Sequence, residues 1–348
     1  MKLSELFETA CERDVEITSI AFDTREVTSG SLFFCLVGNT RDGHDFLHEA
    51  VKNGAVAAVV EKLQPISIPQ IVVGDARHAL AIAAKKFYGS AADRLSISAV
   101  TGTNGKTTTT YILKNIFEAN GKTVGLIGTN EVSYCGKIRE ASLTTPDPTE
   151  FHRTLEDMEN CGVTHVVAEA SAHALALRKL DGIKFAAVGF TNLTRDHLDY
   201  FGDMSTYGAA KALLFDGKRS RAEVINADDA FGAKLCSEHK GAITYGEREF
   251  VSAENVEYSS DGTKFTLKIC GERVDTHLSL PGKYNLYNAL CAAGMAFGTG
   301  IGVVDIARGL SLPIAVKGRF ETVKSSRGTV IIDYAHTDDG LRNILKAV

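Results

Sequence analysis

Within eight residues, Thr101-Gly102-Thr103-Asn104-Gly105-Lys106-Thr107-Thr108, the chain places two glycines, a lysine and a run of hydroxyls. The apolar stretch 95–100 reads as a buried strand leading in, and the residues that follow open a helix. A loop so placed aims backbone N–H groups and the positive end of a helix dipole at one point, which favours phosphate oxygens. Lys106 adds a mobile cation, and the Thr107 hydroxyl suits a magnesium ion lying between phosphates. The chemistry indicated is binding of ATP with Mg2+. The spacing departs from the strict Walker pattern, because Val100 stands where its first glycine falls. Taken alone, Gly-x-x-Gly-Lys-Thr is also compatible with a plain glycine turn ahead of a threonine-rich helix.

The elements that must position this loop follow from periodicity. Short apolar runs at 56–60 and 71–73 and a helical pattern over 76–88 predict a small N-terminal α/β domain over residues 1–93, ending in a hinge at Gly89-Ser90-Ala91-Ala92. Strand candidates at 95–100, 123–128, 163–169, 185–192 and 223–226, with helices between them, predict a central domain over 94–314 with a mostly parallel sheet. Asp147 and Pro148 signal the start of a helix whose apolar face is Phe151, Leu155 and Met158, which leaves Thr144-Thr145 in the loop before it. Alternation over 263–280 after Asp261-Gly262 predicts an antiparallel ribbon, and 285–297 returns to helix. A strand at 329–333 and a helix over 338–348 form a βα unit below the roughly 40 residues at which a domain can stand unaided. The expectation is that residues 315–348 begin a third, Rossmann-like domain that the chain does not complete.

Composition narrows the function. The 348 residues are 44% hydrophobic and 23% charged, with a net charge of -5, so the chain is globular and offers no basic field for nucleic acid. No segment is apolar enough for a signal peptide or a membrane span, which predicts a cytoplasmic protein. The seven cysteines, at 11, 35, 135, 161, 236, 270 and 291, lack Cys-x-x-Cys spacing. They are expected to be reduced, mostly buried thiols.

The loop also has company. Asp23-Thr24-Arg25, Asp42-Gly43-His44, Thr144-Thr145-Pro146-Asp147, Glu169-Ala170-Ser171-Ala172-His173, Asn192-Leu193-Thr194-Arg195-Asp196-His197-Leu198-Asp199, Ala210-Lys211 and Asp333-Tyr334-Ala335-His336-Thr337 follow in order. This series resembles the Mur ligase family over nearly the whole chain, and within it the branch that adds the third residue of the peptidoglycan stem peptide. The resemblance implies ligation of a diamino acid, such as meso-diaminopimelate or L-lysine, to UDP-MurNAc-L-Ala-D-Glu. ATP would phosphorylate a substrate carboxylate and the incoming amine would displace phosphate. Such a site brings anions together and needs cations set in advance.

By the same resemblance, Thr107 and Glu169 are ligands of one magnesium, and His197 and Lys211 of a second, with Lys211 carrying a CO2 adduct, a carbamate. Lys106, Lys211 and His197 are the implied catalytic residues. Gly102 to Thr108 with Asn285, Asn288, Arg319, Asp333 and His336 would bind ATP. Thr24, Arg25, His44, Thr144, Thr145, Ser171 and Lys179 would bind the nucleotide-sugar. The expected partners are the UDP-sugar and a diamino acid, with the chain a monomer. Read singly, Lys211 is a solvated residue on a helix over 207–214, Glu169 a strand-end cap and His197 an ordinary hydrogen-bonded histidine. Thr24 is likewise a turn former, His44 an exposed turn residue, Asn285 a helix cap and Arg319 a surface arginine.

The chain departs from the family at Ala172, where a second serine is usual, and at Asp338, where proline is usual. Arg178-Lys179 supplies a basic residue without fixing its register. Two other readings stay open: a later-acting or folate-type amide ligase, and a nucleotide-sugar or ATP-binding chain without catalysis. A phosphate-loop hydrolase is also possible on the loop alone, but leaves the first ninety residues unexplained.

Overall fold

The computed structural model describes residues 1–8, 13–38, 40–326 and 328–347, so Cys11 and the last helical residue expected, Val348, lie outside the described residues. The chain forms two compact units. The first takes Met1–Arg94, Pro146–Asp157 and Leu177–Ile183; the second takes Leu95–Thr145, Met158–Ala176 and Lys184–Val348.

In the first unit, strands β1 (Ser19–Ala21), β2 (Ser31–Phe34), β3 (Ala55–Val60) and β4 (Gln70–Val72) pair in sequence order, all parallel. Both faces are covered, so these strands read as unbroken apolar runs rather than alternating ones. Leu32, Phe34, Ala57 and Val59 face α1 (Leu3–Phe7) and α3 (Ala76–Phe87) through Leu3, Leu6, Leu80 and Ala83. Phe33, Cys35, Ala58 and Val60 face Leu47 and Ala50 of α2 (Leu47–Asn53). The unit also recruits later chain because residues 177–183 bind α3 directly. Lys85 Nζ donates to the Gly182 carbonyl at 2.9 Å, and His78 Nδ1 lies 2.8 Å from Asp181 Oδ2.

In the second unit, eleven strands form one sheet: β5 (Ser96–Thr101), β6 (Val124–Ile127), β7 (Val132–Tyr134), β8 (Lys137–Arg139), β9 (His165–Glu169), β10 (Phe185–Phe190), β11 (Ser220–Asn226), β12 (Ile243–Tyr245), β13 (Val251–Ser259), β14 (Gly262–Ile269) and β15 (Glu272–Leu278). Their order is β15-β14-β13-β12-β11-β10-β5-β9-β6-β7-β8. From β13 to β6 every pairing is parallel, while β14, β15, β7 and β8 add antiparallel ribbons at the two edges. The expected mostly parallel sheet is therefore present, and β5 lies near its middle, between β10 and β9. The helix after β5, α4 (Lys106–Ala119), buries Ile112, Leu113, Ile116 and Phe117. The other helices are α5 (Pro148–Asn160), which the two units share, α6 (Ala172–Ala176), α7 (Leu198–Phe201), α8 (Met204–Ala212), α9 (Ala230–Glu238), α10 (Lys283–Gly298) and α11 (Val303–Leu310). Helices α10 and α11 pack against α4. A hairpin of β16 (Glu321–Ser325) and β17 (Gly328–Ile332) is followed by α12 (Asp338–Ala347).

One expectation is overturned. Cys135, in the β7–β8 turn, forms a disulfide with Cys161, just past α5. Both are exposed, and Cys270 is an exposed free thiol, so only Cys35 and Cys291 are buried among the free cysteines described. Cysteine spacing along the chain carries no information about this pair, because fold and not sequence brings the two residues together. Among the described residues no helix is long and apolar enough to cross a membrane.

Candidate functional site

Two backbone conformations shape the loop. Gly102 has φ +148° and Gly105 φ +87°, where side-chain-bearing residues are strained. A Cβ on Gly102 would collide with Thr191 Oγ1, and one on Gly105 with Asn288 Oδ1, so each glycine admits a close neighbour. The loop is then clamped from the turn after β10. Asn104 N donates to Asn192 Oδ1 at 2.9 Å, and the Thr191 hydroxyl donates to the Asn104 carbonyl at 2.6 Å. Thr103 N donates to the Asn192 carbonyl at 2.8 Å. Gly105 precedes α4 directly, and no acidic residue occupies the first turn, so the positive end of the helix is free to meet an anion.

Two lysines converge beneath the loop. Lys106 Nζ donates to the Gly102 and Thr103 carbonyls at 2.9 and 3.0 Å, while Lys211 Nζ reaches the same Gly102 carbonyl at 2.8 Å. Lys211 is 1% exposed and lies over the Tyr207 ring, 4.2 Å from its centroid, which rules out the solvated reading of this residue. Burial holds the Lys211 ammonium well below the usual lysine range, and the Lys106 charge lowers it further. Burial also lowers Lys106, with Glu169 opposing.

Glu169 ends β9, next to β5, and is buried. Its Oε1 accepts from Thr107 Oγ1 at 2.9 Å and from Thr129 N at 2.8 Å, and its Oε2 accepts from Thr129 Oγ1 at 3.0 Å. Thr145 Oγ1 donates to the Glu169 carbonyl at 2.8 Å and accepts from Ser171 N at 3.0 Å, and Thr144 Oγ1 lies 3.1 Å from Thr129 Oγ1. The structure thus brings Thr144, Thr145, Ser171, Glu169 and Thr107 into one line of hydroxyls around a carboxylate. Thr129 belongs to it and has no motif of its own; its position directly after a strand end was the only sequence signal.

Asn285 and Asn288 are buried, on α10. Asn288 Nδ2 donates to Asn285 Oδ1 at 3.3 Å, and Asn285 Nδ2 donates to the Pro281 carbonyl at 2.8 Å. Since α10 begins at Lys283, Asn285 is inside the helix and is not its cap. Asn104 Nδ2 reaches Asp339 Oδ2 at 3.2 Å and Thr337 Oγ1 at 3.4 Å, so the start of α12 touches the phosphate loop. Asp333 receives the Phe320 and Ala335 N–H groups, each at 2.8 Å, which makes its carboxylate a turn former here. Arg319 stacks on Tyr334, 5.3 Å from the ring centroid, and His336 Nε2 lies 3.9 Å from Asp196 Oδ2. His197 has a left-handed backbone, φ +53°, and its ring meets His173 and Tyr207.

The remaining predicted residues lie in the first unit. Thr24 Oγ1 donates to Glu49 Oε1 at 3.1 Å, and Arg25, with a side chain 87% exposed, forks onto Asp23. Arg25 draws the Asp23 carboxyl down to about 2. His44 is not exposed as its turn suggested. Its Nδ1 lies 2.6 Å from Asp42 Oδ1 and its Nε2 accepts from Glu61 N at 3.0 Å, so both ring nitrogens are used within the unit. Lys179 Nζ pairs with Asp147 Oδ1 at 2.8 Å, and the neighbouring Arg178 with Asp75 Oδ2 at 2.7 Å.

Magnesium fits the first predicted donor set, since a hydroxyl and a carboxylate are hard oxygen ligands and stand 2.9 Å apart. The second set fits only if Lys211 is modified, because an ammonium repels a cation. Among the described residues no group of three or more His, Cys, Asp or Glu side chains could hold a metal. An ion here would rest on one or two protein groups, with phosphate oxygens and water completing its shell, as magnesium commonly does.

Comparison with known proteins bears on this geometry. Residues 100–296 match the Mur ligase middle domain, and residues 16–88 match a model described as Mur ligase family, catalytic domain. A UDP-N-acetylmuramoyl-L-alanyl-D-glutamate--2,6-diaminopimelate ligase from Halalkalibacterium halodurans is 44% identical over 346 residues, 97% of this chain and 71% of the relative. The ligase of the same name from Aquifex aeolicus is 40% identical over 331 residues, 95% of this chain and 68% of the relative. A solved structure of a ligase so named superposes with a TM-score of 0.86 at 25% identity, covering 100% of this chain and 74% of that one. MurF from Thermotoga maritima in complex with ADP shares the fold, with a TM-score of 0.65 at 21% identity over 94% of this chain and 74% of its own. The chain therefore spans about seven tenths of the length of such relatives. With most of its length matched by the family's models and two fifths or more of its residues shared with these ligases, the chain belongs to the Mur ligase family of ATP-dependent, amide-forming ligases.

Proposed function

We propose that this protein joins 2,6-diaminopimelate to UDP-MurNAc-L-Ala-D-Glu at the expense of ATP. The observation that carries the reading is the junction under the phosphate loop, where Thr107 meets the Glu169 carboxylate and two lysines share the Gly102 carbonyl. The name of the substrate rests on the relatives at 40–44% identity.

In the reaction, a substrate carboxylate oxygen bonds to the γ-phosphorus of ATP as the bond from that phosphorus to ADP breaks. The diaminopimelate amine then bonds to the acyl carbon, phosphate departs with its oxygen, and the nitrogen loses a proton. Loop amides and Lys106 hold the phosphates, and Lys106 must turn from the Gly102 and Thr103 carbonyls toward them. Thr107 and Glu169 would hold one magnesium ion, and His197 and carbamylated Lys211 a second. When bound, magnesium would supply positive charge that offsets the repulsion between the anions the reaction brings together. Lys211 suits the adduct because burial favours its neutral amine, whose nitrogen bonds to the carbon of CO2 and releases a proton. Thr144, Thr145 and Ser171 would orient the acceptor's sugar and peptide end. Thr24, Arg25, His44 and Lys179 would bind the rest of the nucleotide-sugar, His44 by supporting its turn. Asn285, Asn288, Arg319, Asp333 and His336 would line the nucleotide. The first unit corresponds to a UDP-sugar domain and the body of the second to the ATP-binding domain, in a cytoplasmic monomer.

The test is incubation of the chain with UDP-MurNAc-L-Ala-D-Glu, ATP, magnesium and either 2,6-diaminopimelate or lysine, following nucleotide-sugar binding and product mass. Saturable binding of the UDP-sugar and an amide product containing diaminopimelate are expected. Absence of both, or binding of folate in its place, would overturn the reading.

A further inference from the structure

A carboxylate that serves a cation must present a fixed edge, and at Glu169 one residue does most of the holding. Thr129 N donates to Oε1 at 2.8 Å and Thr129 Oγ1 to Oε2 at 3.0 Å, so both carboxylate oxygens are gripped by the same residue. Thr107 adds its bond to Oε1, which leaves the Thr129 hydroxyl as the one hydrogen bond to Oε2 among the described residues. Without it the carboxylate is held at a single oxygen and can turn about that point. The grip is itself fixed on both sides of Thr129. Gly128 N donates to the Glu131 carbonyl at 3.1 Å, and Asn130 Nδ2 donates to the Lys317 carbonyl at 2.8 Å. A Cβ on Gly128 would strike Glu169 Oε1, so glycine is what lets this loop come so close to the carboxylate.

The hydroxyl also has a direction. An ionised carboxylate only accepts and a hydroxyl carries one proton, so the Thr129 proton points to Glu169. The Thr144 hydroxyl, 3.1 Å from Thr129 Oγ1, is then the donor in that pair. Donation runs in one line from Thr144 through Thr129 to Glu169, and the members of such a line strengthen one another. Thr129 is otherwise exposed, so its side chain is not needed to fill the interior. We infer that Thr129 is a positioning residue, whose hydroxyl sets the plane of the Glu169 carboxylate toward an ion beside Thr107 and joins it to the loop that carries Thr144. The inference rests on the reading of Thr107 and Glu169 as ligands of one magnesium ion. A ligand aimed by a second residue loses affinity for its cation when that support is removed, though no bond to the cation has been touched.

The test titrates the full chain with a non-hydrolysable ATP analogue at several magnesium concentrations, read by calorimetry. Thr129→Val keeps the shape of the side chain and the backbone N–H and removes only the hydroxyl. It is expected to raise the magnesium concentration that half-tightens analogue binding about ten-fold, the low end for loss of a group that orients a ligand, because the backbone bond to Oε1 stays. Affinity for the analogue without magnesium should remain that of the parent, and Thr129→Ser, which keeps the hydroxyl, should restore the parent's magnesium dependence. If Glu169→Gln raises the magnesium requirement and Thr129→Val does not, or if serine behaves as valine does, the inference falls alone. Equal weakening with and without magnesium in Thr129→Val would show a general loosening of the loop and would also overturn the role. If analogue binding by the parent does not respond to magnesium, or Glu169→Gln leaves the response unchanged, the reading of Glu169 falls and the inference with it. Should Thr129→Val fail to fold, Thr129→Ala decides on the same terms.

Discussion

Thr107 and Glu169 stand 62 residues apart in the chain, yet Thr107 Oγ1 donates to Glu169 Oε1 at 2.9 Å in the interior of the second unit. The pairing of β5 with β9 produces this meeting, because it places the loop after β5 level with the last residue of β9. Thr129, following β6 on the other side of β9, supplies two more hydrogen bonds to the same carboxylate. A buried carboxylate so surrounded is aimed and cannot swing away.

Glu169→Gln keeps the volume and removes the charge, so it should separate cation binding from nucleotide binding. The affinity for ATP without magnesium should change little, while the magnesium needed to tighten ATP binding should rise about ten-fold or more, as expected for loss of a charged ligand to a hard cation. Calorimetric titration of ATP at several magnesium concentrations reads this directly. An unchanged magnesium dependence would remove Glu169 from the ion site.

Gly105→Ala tests the loop itself. Its φ of +87° is a left-handed conformation that costs a residue with a side chain about 1 kcal/mol, and the added Cβ would strike Asn288 Oδ1. Asn288 would have to shift and the loop to open, so ATP affinity should fall more than ten-fold, with a melting temperature only a few degrees lower. Wild-type affinity in this variant would show that the close approach of loop and α10 does not matter for the nucleotide.

Local patterns made the central sheet, the loop and its helix legible, because a buried parallel strand followed by Gly-x-x-Gly-Lys-Thr and a helix start carries its own signature. Three strands were harder. β7 and β8 are three residues each, and β13 carries Glu254, Asn255 and Glu257, so none of them offers an apolar run. Candidate residues in sequence motifs were legible as types, but their states were not. Lys211 meets the Gly102 carbonyl 109 residues away in the chain, and the engagement of His44 depends on the Glu61 backbone. Such distant partners leave no trace within a local window.

The Cys135–Cys161 bond ties the β7–β8 turn to the end of α5 across 26 residues of sequence. Closing a loop of that length restricts the unfolded chain and stabilises the fold by about 3.5 kcal/mol in the chain-entropy model. Dithiothreitol, or replacement of both cysteines by serine, should therefore lower the denaturant midpoint. Iodoacetamide labelling of the unfolded, unreduced chain should spare these two residues, as read by peptide mass. Labelling of both before reduction would mean that the pair is reduced in solution.

His152 gives the clearest pH dependence. It sits on α5 within the first unit, 1% exposed, and its Nε2 has no hydrogen-bond partner. Burial is the main reason that its pKa falls from 6.5 to about 4, with Lys85 lowering it further and Asp93 opposing. The sign follows from proton counts. Between pH 6.5 and 4 the unfolded chain binds a proton at this histidine that the folded chain refuses, so stability is fully present above 6.5 and is lost as pH falls through that window. The loss reaches about 3 kcal/mol at its limit, from 1.36 kcal/mol per pKa unit. In His152→Leu this dependence disappears, while the carboxylates that also titrate there stay in place. Comparing urea midpoints of the two proteins at pH 8 and pH 4.5 isolates the histidine, because every other acid-sensitive group is common to both. At pH 8 the variant should lie within about 1 kcal/mol of the parent, since no hydrogen bond of Nε2 is given up. At pH 4.5 it should gain about 2 kcal/mol relative to the parent. A constant difference between the two proteins across this range would show that His152 is protonated in the fold, with a partner for its charge.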